Sequence, residues 1–157
     1  MAAQQEAGED AVVPMYLTFA LGDETYGVPL MRVLEIIGMQ PITPIPDTAS
    51  HVKGVLNLRG TVIPVVDVRA RFGLQLKDYE ARTCIIVVQT GDWSVGLVVD
   101  RVSDVVAIPE AATAPPPPIT ARRKDHFLTG LGKVGDEVRL LLDIDRFLSD
   151  ASVPAAA

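Results

Sequence analysis

The sequence predicts an all-β protein, in which two small five-stranded β-barrels with a few short helical turns pack around a shared core. Only 5% of the 157 residues are aromatic, so valine, isoleucine and leucine must fill the interior, and β-branched side chains favour strands. Short apolar runs alternate with glycine turns along most of the chain. Two stretches also match later stretches without a gap, which indicates an internal duplication.

The first half is predicted to form two hairpins with a strand between them. The runs YLTFAL and TYGVPL flank a turn at Gly22–Asp23, and RVLEII forms a third strand. The prolines of TPIP keep the following connector extended. The runs GVLNL and TVIPVVDV then flank a turn at Arg59–Gly60, and RARFG makes at most one helical turn that ends at Gly73.

The second half repeats this pattern. Residues 22–37 (GDETYGVPLMRVLEII) lie over residues 91–106 (GDWSVGLVVDRVSDVV), and residues 54–68 lie over residues 130–144. Because both matches occur in the same order and at nearly the same offset, a duplication explains them better than the chance likeness of apolar hairpins. A unit of five short strands is too small to stack two large sheets, so we expect it to close into a barrel that removes its edges.

No residue pattern predicts catalysis, a metal site or a cofactor. His51 and His126 each lack a second ligand at a helical spacing, and Cys84 is the only cysteine in the sequence. Phosphate-loop, dinucleotide and nucleophile-elbow motifs do not occur. Asp67 and Asp143 hold equivalent positions in the repeat, so we expect them to make matching hydrogen bonds at strand ends. The protein is therefore predicted not to be an enzyme.

Charge and hydropathy restrict the partners. A net charge of −6 argues against nucleic acid, because phosphate binding needs a concentrated basic face. The first residues carry no signal-peptide pattern, and no apolar run approaches the ~20 residues that span a bilayer. We expect a cytoplasmic protein without direct membrane insertion.

The run AATAPPPPIT is either a stiff surface connector or a preformed docking segment.

The stretch VKGVLNLRGTVIPVVDVR, with FALGDETYGVPLMRVLEI, VGLVVDRVSDV and FLTGLGKVGDEVRLLLDIDRFL, closely resembles the CheW family of chemotaxis coupling proteins. The likeness runs from about Tyr16 to Leu148. It implies two five-stranded SH3-like β-barrels around a common core. It also implies a non-catalytic adaptor that couples the cytoplasmic tips of methyl-accepting chemoreceptors to the regulatory domain of the CheA histidine kinase in signalling arrays. An alternative is a CheW-like adaptor of a non-flagellar pathway, for surface motility or a second messenger.

The resemblance implies a receptor-binding surface around Arg59. In the family this arginine lies near the groove between the barrels where the receptor helix docks, and a guanidinium can bond carboxylates or helix carbonyls there. An internal salt bridge with Glu35 that holds the loop is the other interpretation, and the two are compatible. Val33, Glu35 and Ile37 alternate along one strand and so face the same side. They match the receptor-facing strand of the family.

The resemblance also implies two kinase-binding regions. One surrounds Ile42 and Ile45 at the outer end of the first barrel, and the other is the loop from Pro115 to Ile119 in the second. The four prolines depart from the family pattern and leave Ile119 as the obvious apolar anchor of that loop.

The expected organisation is one CheW-like domain over residues 15–149, between flexible tails at 1–14 and 150–157. Its two intertwined barrels cover about residues 15–80 and 81–149, and the sequence leaves the exchange of strands between them open. We expect a monomer in isolation, recruited to membrane-associated chemoreceptor arrays.

Overall fold

The chain forms two β-sheets with short helical turns, which confirms the predicted all-β class. The computed structural model describes residues 13–46, 51–116 and 127–149. The strands are β1 (Met15–Leu21), β2 (Glu24–Pro29), β3 (Val33–Gly38), β4 (Val52–Leu58), β5 (Thr61–Asp67), β6 (Cys84–Thr90), β7 (Trp93–Val99), β8 (Arg101–Ala107), β9 (Thr113–Ala114), β10 (Leu128–Val134) and β11 (Glu137–Leu142). The helices are α1 (Val68–Arg71) and α2 (Ile144–Ser149), with 3-10 turns at Leu30–Arg32 and Glu110–Ala112.

Each sheet takes strands from both halves of the sequence. The five-stranded sheet has the order β3-β6-β7-β5-β4, and the six-stranded sheet has the order β8-β1-β2-β11-β10-β9. Hairpin β6–β7 of the second half therefore joins β3, β4 and β5, while hairpin β1–β2 of the first half joins β8 to β11. The contacts between β5 and β7 and between β2 and β11 are parallel. The predicted count of five strands holds for one sheet, and the two-residue β9 adds a sixth to the other.

The two sheets have corresponding architectures, as the duplication predicts. Their strand orders agree element by element when the two gapless sequence matches are superposed. A register shift occurs at Gly54 in β4 and at the equivalent Gly130 in β10. A Cβ atom at Gly54 would lie 2.0 Å from the carbonyl oxygen of Thr43, and one at Gly130 would lie 2.7 Å from that of Ala114. Glycine at both places thus lets a neighbouring segment approach the strand closely.

Both sheets pack on one shared core. Its centre is an aromatic cluster in which Tyr26 of β2 stacks on Phe72 with 5.2 Å between ring centroids, and Phe127 meets Phe147 edge-on at 5.4 Å. Aliphatic side chains from both sheets and from α2 surround these rings, namely Leu17, Val28, Val66, Ile86, Val88, Leu97, Val99, Leu142 and Ile144. Each fully buried side chain of this kind stabilises the fold by about 1.5–3 kcal/mol. Because the core belongs to both sheets, neither is expected to fold alone.

A second, smaller cluster belongs to the five-stranded sheet alone. Its buried members are Leu56, Ile63, Val65, Ile85, Val87 and Val98. We call it the five-strand cluster. Ile37, Met39, Ile42 and Leu58 are partly buried and pack against it.

The aspartates at the ends of β5 and β11 make the matching hydrogen bonds that the sequence predicts. Asp67 Oδ1 accepts a bond of 3.3 Å from the backbone N–H of Ala70, and Asp143 Oδ1 accepts one of 3.1 Å from that of Arg146. Each carboxylate therefore begins the short helix that follows its strand. Asp67 also accepts a bond of 3.0 Å from the hydroxyl of Tyr79.

A mostly buried ion pair joins the two sheets. Asp100 lies between β7 and β8, where the chain crosses from the five-stranded to the six-stranded sheet. The Arg69 guanidinium of α1 donates to both of its carboxylate oxygens, with Nε–Oδ1 at 2.8 Å and Nη2–Oδ2 at 2.6 Å. The backbone N–H of Gly22, in the β1–β2 turn, adds a bond of 2.8 Å. The two side chains are only 16% and 14% exposed.

A second ion pair joins the corresponding elements of the repeat, with an acid on the helix and a base on the crossover. Asp145 is the equivalent of Arg69, whereas Arg32 is one position beyond the equivalent of Asp100. Here α2 supplies the acid, Asp145, and the crossover from β2 to β3 supplies the base, Arg32. Nη2 of Arg32 lies 2.6 Å from Oδ1 of Asp145, which also accepts a bond of 2.9 Å from the hydroxyl of Thr90. This pair is more exposed, and pairs of that kind contribute at most about 1 kcal/mol.

We expect the Arg69–Asp100 pair to make the fold sensitive to acid. Hydrogen bonds from the Arg69 guanidinium and from the Gly22 N–H lower the pKa of Asp100 below its ordinary value. A pKa that is lower in the folded than in the unfolded state stabilises the fold above the unfolded pKa, and the contribution is lost as the pH falls through the folded pKa. The free energy of unfolding should therefore fall below about pH 4.

Urea unfolding as a function of pH tests this expectation. The free energy of unfolding of Asp100→Asn, which keeps the shape of the side chain without its charge, should depend less on pH in that range. The same acid dependence in both proteins would assign the effect to other carboxylates.

Candidate docking surface around Arg59

The turn between β4 and β5 holds Arg59 in a backbone conformation that usually belongs to glycine. Arg59 has φ of +50°, and Gly60 follows with φ of +85°. The side-chain oxygen of Asn57 accepts a bond of 2.9 Å from the N–H of Gly60 and so closes the turn. The equivalent of Arg59 in the second half is Gly135, with φ of +61°. The left-handed backbone conformation costs an arginine free energy that a glycine would avoid. The geometry of the turn therefore does not by itself account for an arginine at this position.

Arg59 is paired with Glu35 of β3, as the salt-bridge interpretation predicts. Nη1 of Arg59 lies 3.1 Å from Oε1 of Glu35, and Nη2 contacts Oε2 in the same two-pronged arrangement. The hydrogen bonds from Arg59 lower the pKa of Glu35. The Arg59 side chain nevertheless remains 70% exposed. A guanidinium has five N–H donors, so part of it stays available to a partner.

Strand β3 places the other predicted receptor residues beside this pair. Val33, Glu35 and Ile37 are all half-buried. A register shift between Val33 and Glu35 puts Val33 opposite Val88, on the face that packs against the shared core, so the prediction that all three share one side is wrong for Val33. Glu35 and Ile37 lie opposite Val87 and Ile85, on the face of the five-strand cluster. Val33 packs against the shared core, and Ile37 packs against the five-strand cluster. Val33 and Ile37 therefore contribute to packing on opposite faces of the sheet, and Glu35, between them in the strand, is the residue that contacts Arg59.

The sequence did not predict that three apolar residues of β3 and the turn before it are exposed. Leu34, at the register shift in β3, and Ile36, on the face opposite Glu35, are 50% and 46% exposed, and Met31 in the preceding 3-10 turn is 90% exposed. Alternation alone cannot tell which face of an apolar strand is buried. Their exposure is explained by the position of β3 at the edge of its sheet, where it pairs only with β6 among the described strands.

The described residues among those predicted to bind the kinase lie in connecting segments beside different sheets. Ile42 packs against the five-strand cluster, and Ile45 follows it as a half-buried residue. Pro115 is exposed after β9 of the six-stranded sheet and lines a cavity of about 700 Å³. Ile119 lies outside the described residues. The described residues of the two regions therefore adjoin different sheets.

The part of the chain that the structure describes contains no group of three or more histidine, cysteine, aspartate or glutamate side chains that could hold a metal ion. Over the same ranges, none of the helices has the length and apolar character that a membrane crossing requires.

The structure is thus of the class of two-sheet β proteins with one shared core, and it presents an exposed arginine on a turn and exposed aliphatic side chains along an edge strand. Residues 15–152 match the model of the CheW-like domain, and the chain therefore belongs to the CheW-like family.

Individual relatives are similar over nearly the whole chain. The chemotaxis protein CheW of Klebsiella aerogenes is 40% identical over 143 residues, which cover 91% of this chain and 86% of its relative. That of Helicobacter pylori is 31% identical, with 93% and 87% covered. The crystal structure of the scaffolding protein TtCheW from Thermoanaerobacter tengcongensis superposes with a TM-score of 0.83 at 31% identity, over 93% of this chain and all of that one.

Proposed function

We propose that this protein is a non-catalytic chemotaxis adaptor that couples methyl-accepting chemoreceptors to the CheA histidine kinase. Its mechanism is assembly. One surface binds the cytoplasmic tip of a receptor and another binds the regulatory domain of the kinase, which places both at a high effective concentration. A change in the receptor then alters the kinase through the contacts that the adaptor holds in place.

The exposed, left-handed Arg59 is the observation that carries the proposal. Its pairing with Glu35 orients the guanidinium without burying it, and the turn accepts a strained backbone to present it. The second half, where glycine occupies the same turn, has no such group. We infer that a receptor helix docks along the exposed edge of β3, beside Arg59. It contacts Glu35 and Ile37 from one face of the strand, Val33 and Ile36 from the other, and Met31 and Leu34 next to them.

The kinase surface is proposed to have two parts. Ile42 and Ile45, next to the five-stranded sheet, meet one barrel of a kinase regulatory domain. Pro115 and Ile119, beyond β9, meet another. Placing the two parts on separate sheets suits an adaptor that sits between neighbouring kinase domains in a ring.

The remaining properties follow from the same proposal. The protein acts without catalysis and without a cofactor, is a monomer in isolation, and works in the cytoplasm at membrane-associated receptor arrays. The names of the relatives favour chemotaxis over the alternative of a surface-motility or second-messenger pathway.

Calorimetric titration tests the adaptor function directly. The purified protein is titrated with a CheA regulatory domain, and a receptor-tip fragment is added second. We expect saturable binding at micromolar concentration or better and a ternary complex of the three proteins. Failure to bind any cognate kinase, with the protein folded, would assign the family fold to another function.

The repeat offers a matched pair of variants for the receptor surface. Ile36 in β3 and Val105 in β8 are equivalent positions, and their side chains are 46% and 47% exposed. Ile36→Glu should weaken binding of the receptor fragment about tenfold, because it places a charge against an apolar partner surface. Val105→Glu should leave that binding unchanged, since its half of the repeat lacks the arginine. Equal losses in both variants would contradict an asymmetric receptor surface.

A further inference from the structure

An open cleft with two exposed arginines is lined by residues from both sheets. Arg82, just before β6, and Cys84 of β6 contribute from the five-stranded sheet, and residues 101–104 of β8 contribute from the six-stranded sheet. The volume of the cleft is about 490 Å³. Cys84 and Val102 are half-buried, pack against the shared core and give the cleft its apolar part. We call it the Arg82–Arg101 cleft.

Neither arginine is neutralised within the part of the chain that the structure describes, where neither guanidinium makes an ion pair or a hydrogen bond. A closed turn sets the place of Arg82. The N–H of Thr83 donates a bond of 3.1 Å to the carbonyl oxygen of Glu80, and the N–H of Glu80 donates one of 2.8 Å to the hydroxyl of Thr83. Arg82 is therefore presented to solvent by a fixed backbone.

The duplication explains why Arg101 has no such partner. Its equivalent in the first half, Arg32, pairs with Asp145 of α2. The equivalent of Asp145 is Arg69, which has the same charge as Arg101 and already bonds both carboxylate oxygens of Asp100. The exchange of acid and base between the two helices thus leaves Arg101 with an unused guanidinium.

The acid of the cleft does not neutralise these charges. The carboxylate of Asp104 contacts the hydroxyl of Thr18, a fully buried residue of β1. The backbone N–H of Asp104 donates a bond of 3.1 Å to the same hydroxyl oxygen. The cleft therefore carries two positive charges against one negative charge, on a protein whose net charge is −6. Carboxylates from a partner are the groups that suit unused guanidiniums.

The cleft adjoins the proposed receptor surface. Ile36 of β3 lies opposite Ile86 of β6. Residues two apart on a strand face the same side, so Cys84 is a diagonal neighbour of the exposed Ile36, roughly 7 Å away. Val105, in contrast, is four residues beyond Arg101 along β8, a distance of about 13 Å, and does not line the cleft.

We propose that the Arg82–Arg101 cleft binds acidic side chains of the receptor tip and selects receptors that carry carboxylates there. The receptor helix that contacts Ile36 at the edge of β3 continues over Cys84, where its aspartate or glutamate side chains meet the two guanidiniums. The planar fork of an arginine binds both oxygens of a carboxylate, so the contact is directional as well as attractive. This inference rests on the proposed adaptor function and gives it an electrostatic selectivity.

The salt dependence of receptor affinity tests the inference. A receptor-tip fragment is titrated at about 0.1 M and about 1 M salt, where the Debye length is about 10 Å and about 3 Å. The double variant Arg82→Gln, Arg101→Gln should bind about tenfold more weakly than the wild type at the lower salt concentration, and each single variant about threefold more weakly. Its affinity should also depend less on salt, because the attraction that salt screens has been removed.

Two control variants accompany this measurement. Arg82→Lys, Arg101→Lys keeps both charges and should retain most of the salt dependence. Lys133→Gln removes one exposed positive charge next to the equivalent turn of the second half, as each single variant does within the cleft, and should leave receptor affinity unchanged. Both arginines are exposed, so none of the substitutions should change the midpoint of thermal unfolding.

The outcomes separate this inference from the adaptor function. If the wild type binds the receptor fragment and the double glutamine variant binds it equally, with the same salt dependence, the cleft has no part in receptor recognition and the inference fails alone. If the wild type does not bind the fragment, the adaptor function fails and the inference fails with it. A loss confined to binding of the CheA regulatory domain would assign the cleft to the kinase and overturn the inference.

Discussion

Replacing Arg59 with glutamate should weaken binding of a receptor-tip fragment by about tenfold to a hundredfold, without unfolding the protein. The guanidinium is exposed and lies at the end of a hairpin, so its loss leaves no buried charge or cavity. The substituted carboxylate would instead face Glu35, and the two acids would stand where the receptor meets a cation. Calorimetry with the receptor fragment measures the affinity, and thermal unfolding measures the fold.

Two further variants separate docking from folding. Arg59→Gly should keep the turn, since glycine adopts its positive φ without strain, and should weaken binding less than glutamate does. Lys133→Glu reverses a charge next to the equivalent turn of the second half and should leave receptor affinity unchanged. Unaltered receptor binding by Arg59→Glu, in a folded protein, would remove Arg59 from the receptor surface.

Replacing Asp100 with alanine should lower the free energy of unfolding by about 2–3 kcal/mol, because it leaves the mostly buried Arg69 guanidinium without its carboxylate. The Gly22 N–H loses its acceptor as well. For a domain of this size the loss corresponds to a decrease of about 5–10 °C in the midpoint of thermal unfolding. Urea unfolding and calorimetry measure the two quantities.

The exposed ion pair is the internal control for this prediction. Asp145→Ala removes the acid from the corresponding place in the repeat, where its side chain is 64% exposed. Its effect should be at most about 1 kcal/mol. Equal destabilisation by the two substitutions would mean that burial does not distinguish the pairs.

The repeat is the reason that most of the fold could be predicted from the sequence. Glycine turns such as Gly22–Asp23 and apolar runs such as TVIPVVDV give strands and hairpins from local physics alone. The gapless match of the two halves then fixes how many times the unit occurs. Equivalent residues such as Asp67 and Asp143 could be assigned the same hydrogen bond because a duplicated position keeps its neighbours.

Local patterns could not supply the exchange of hairpins between the sheets. Hairpin β6–β7 pairs with β3 and β5 through contacts that are distant in sequence, and nothing within the hairpin encodes its partner. The inter-sheet ion pairs are hidden for the same reason. From the sequence alone, Arg69 and Asp100 have the pattern of ordinary surface charges. Only the crossover between the sheets brings them together.

The candidate site was predictable in part. The Arg59–Glu35 pair was one interpretation of an arginine at a turn and a glutamate on an apolar strand. Because β3 and β4 lie at opposite ends of the strand order, only the folded structure shows that the two side chains meet. The exposure of Met31, Leu34 and Ile36 does not follow, because it depends on where the edge of the sheet falls. Long-range topology therefore decides which apolar residues of β3 a partner can reach.

The measurement that tests the central claim most directly is the receptor affinity of the double variant Glu35→Arg, Arg59→Glu. This exchange restores an ion pair between the turn and β3 with its charges reversed. If Arg59 binds the receptor, the double variant should bind the receptor fragment as weakly as Arg59→Glu alone. Full recovery of the wild-type affinity would contradict the claim, because it would mean that Arg59 serves only to hold its own turn.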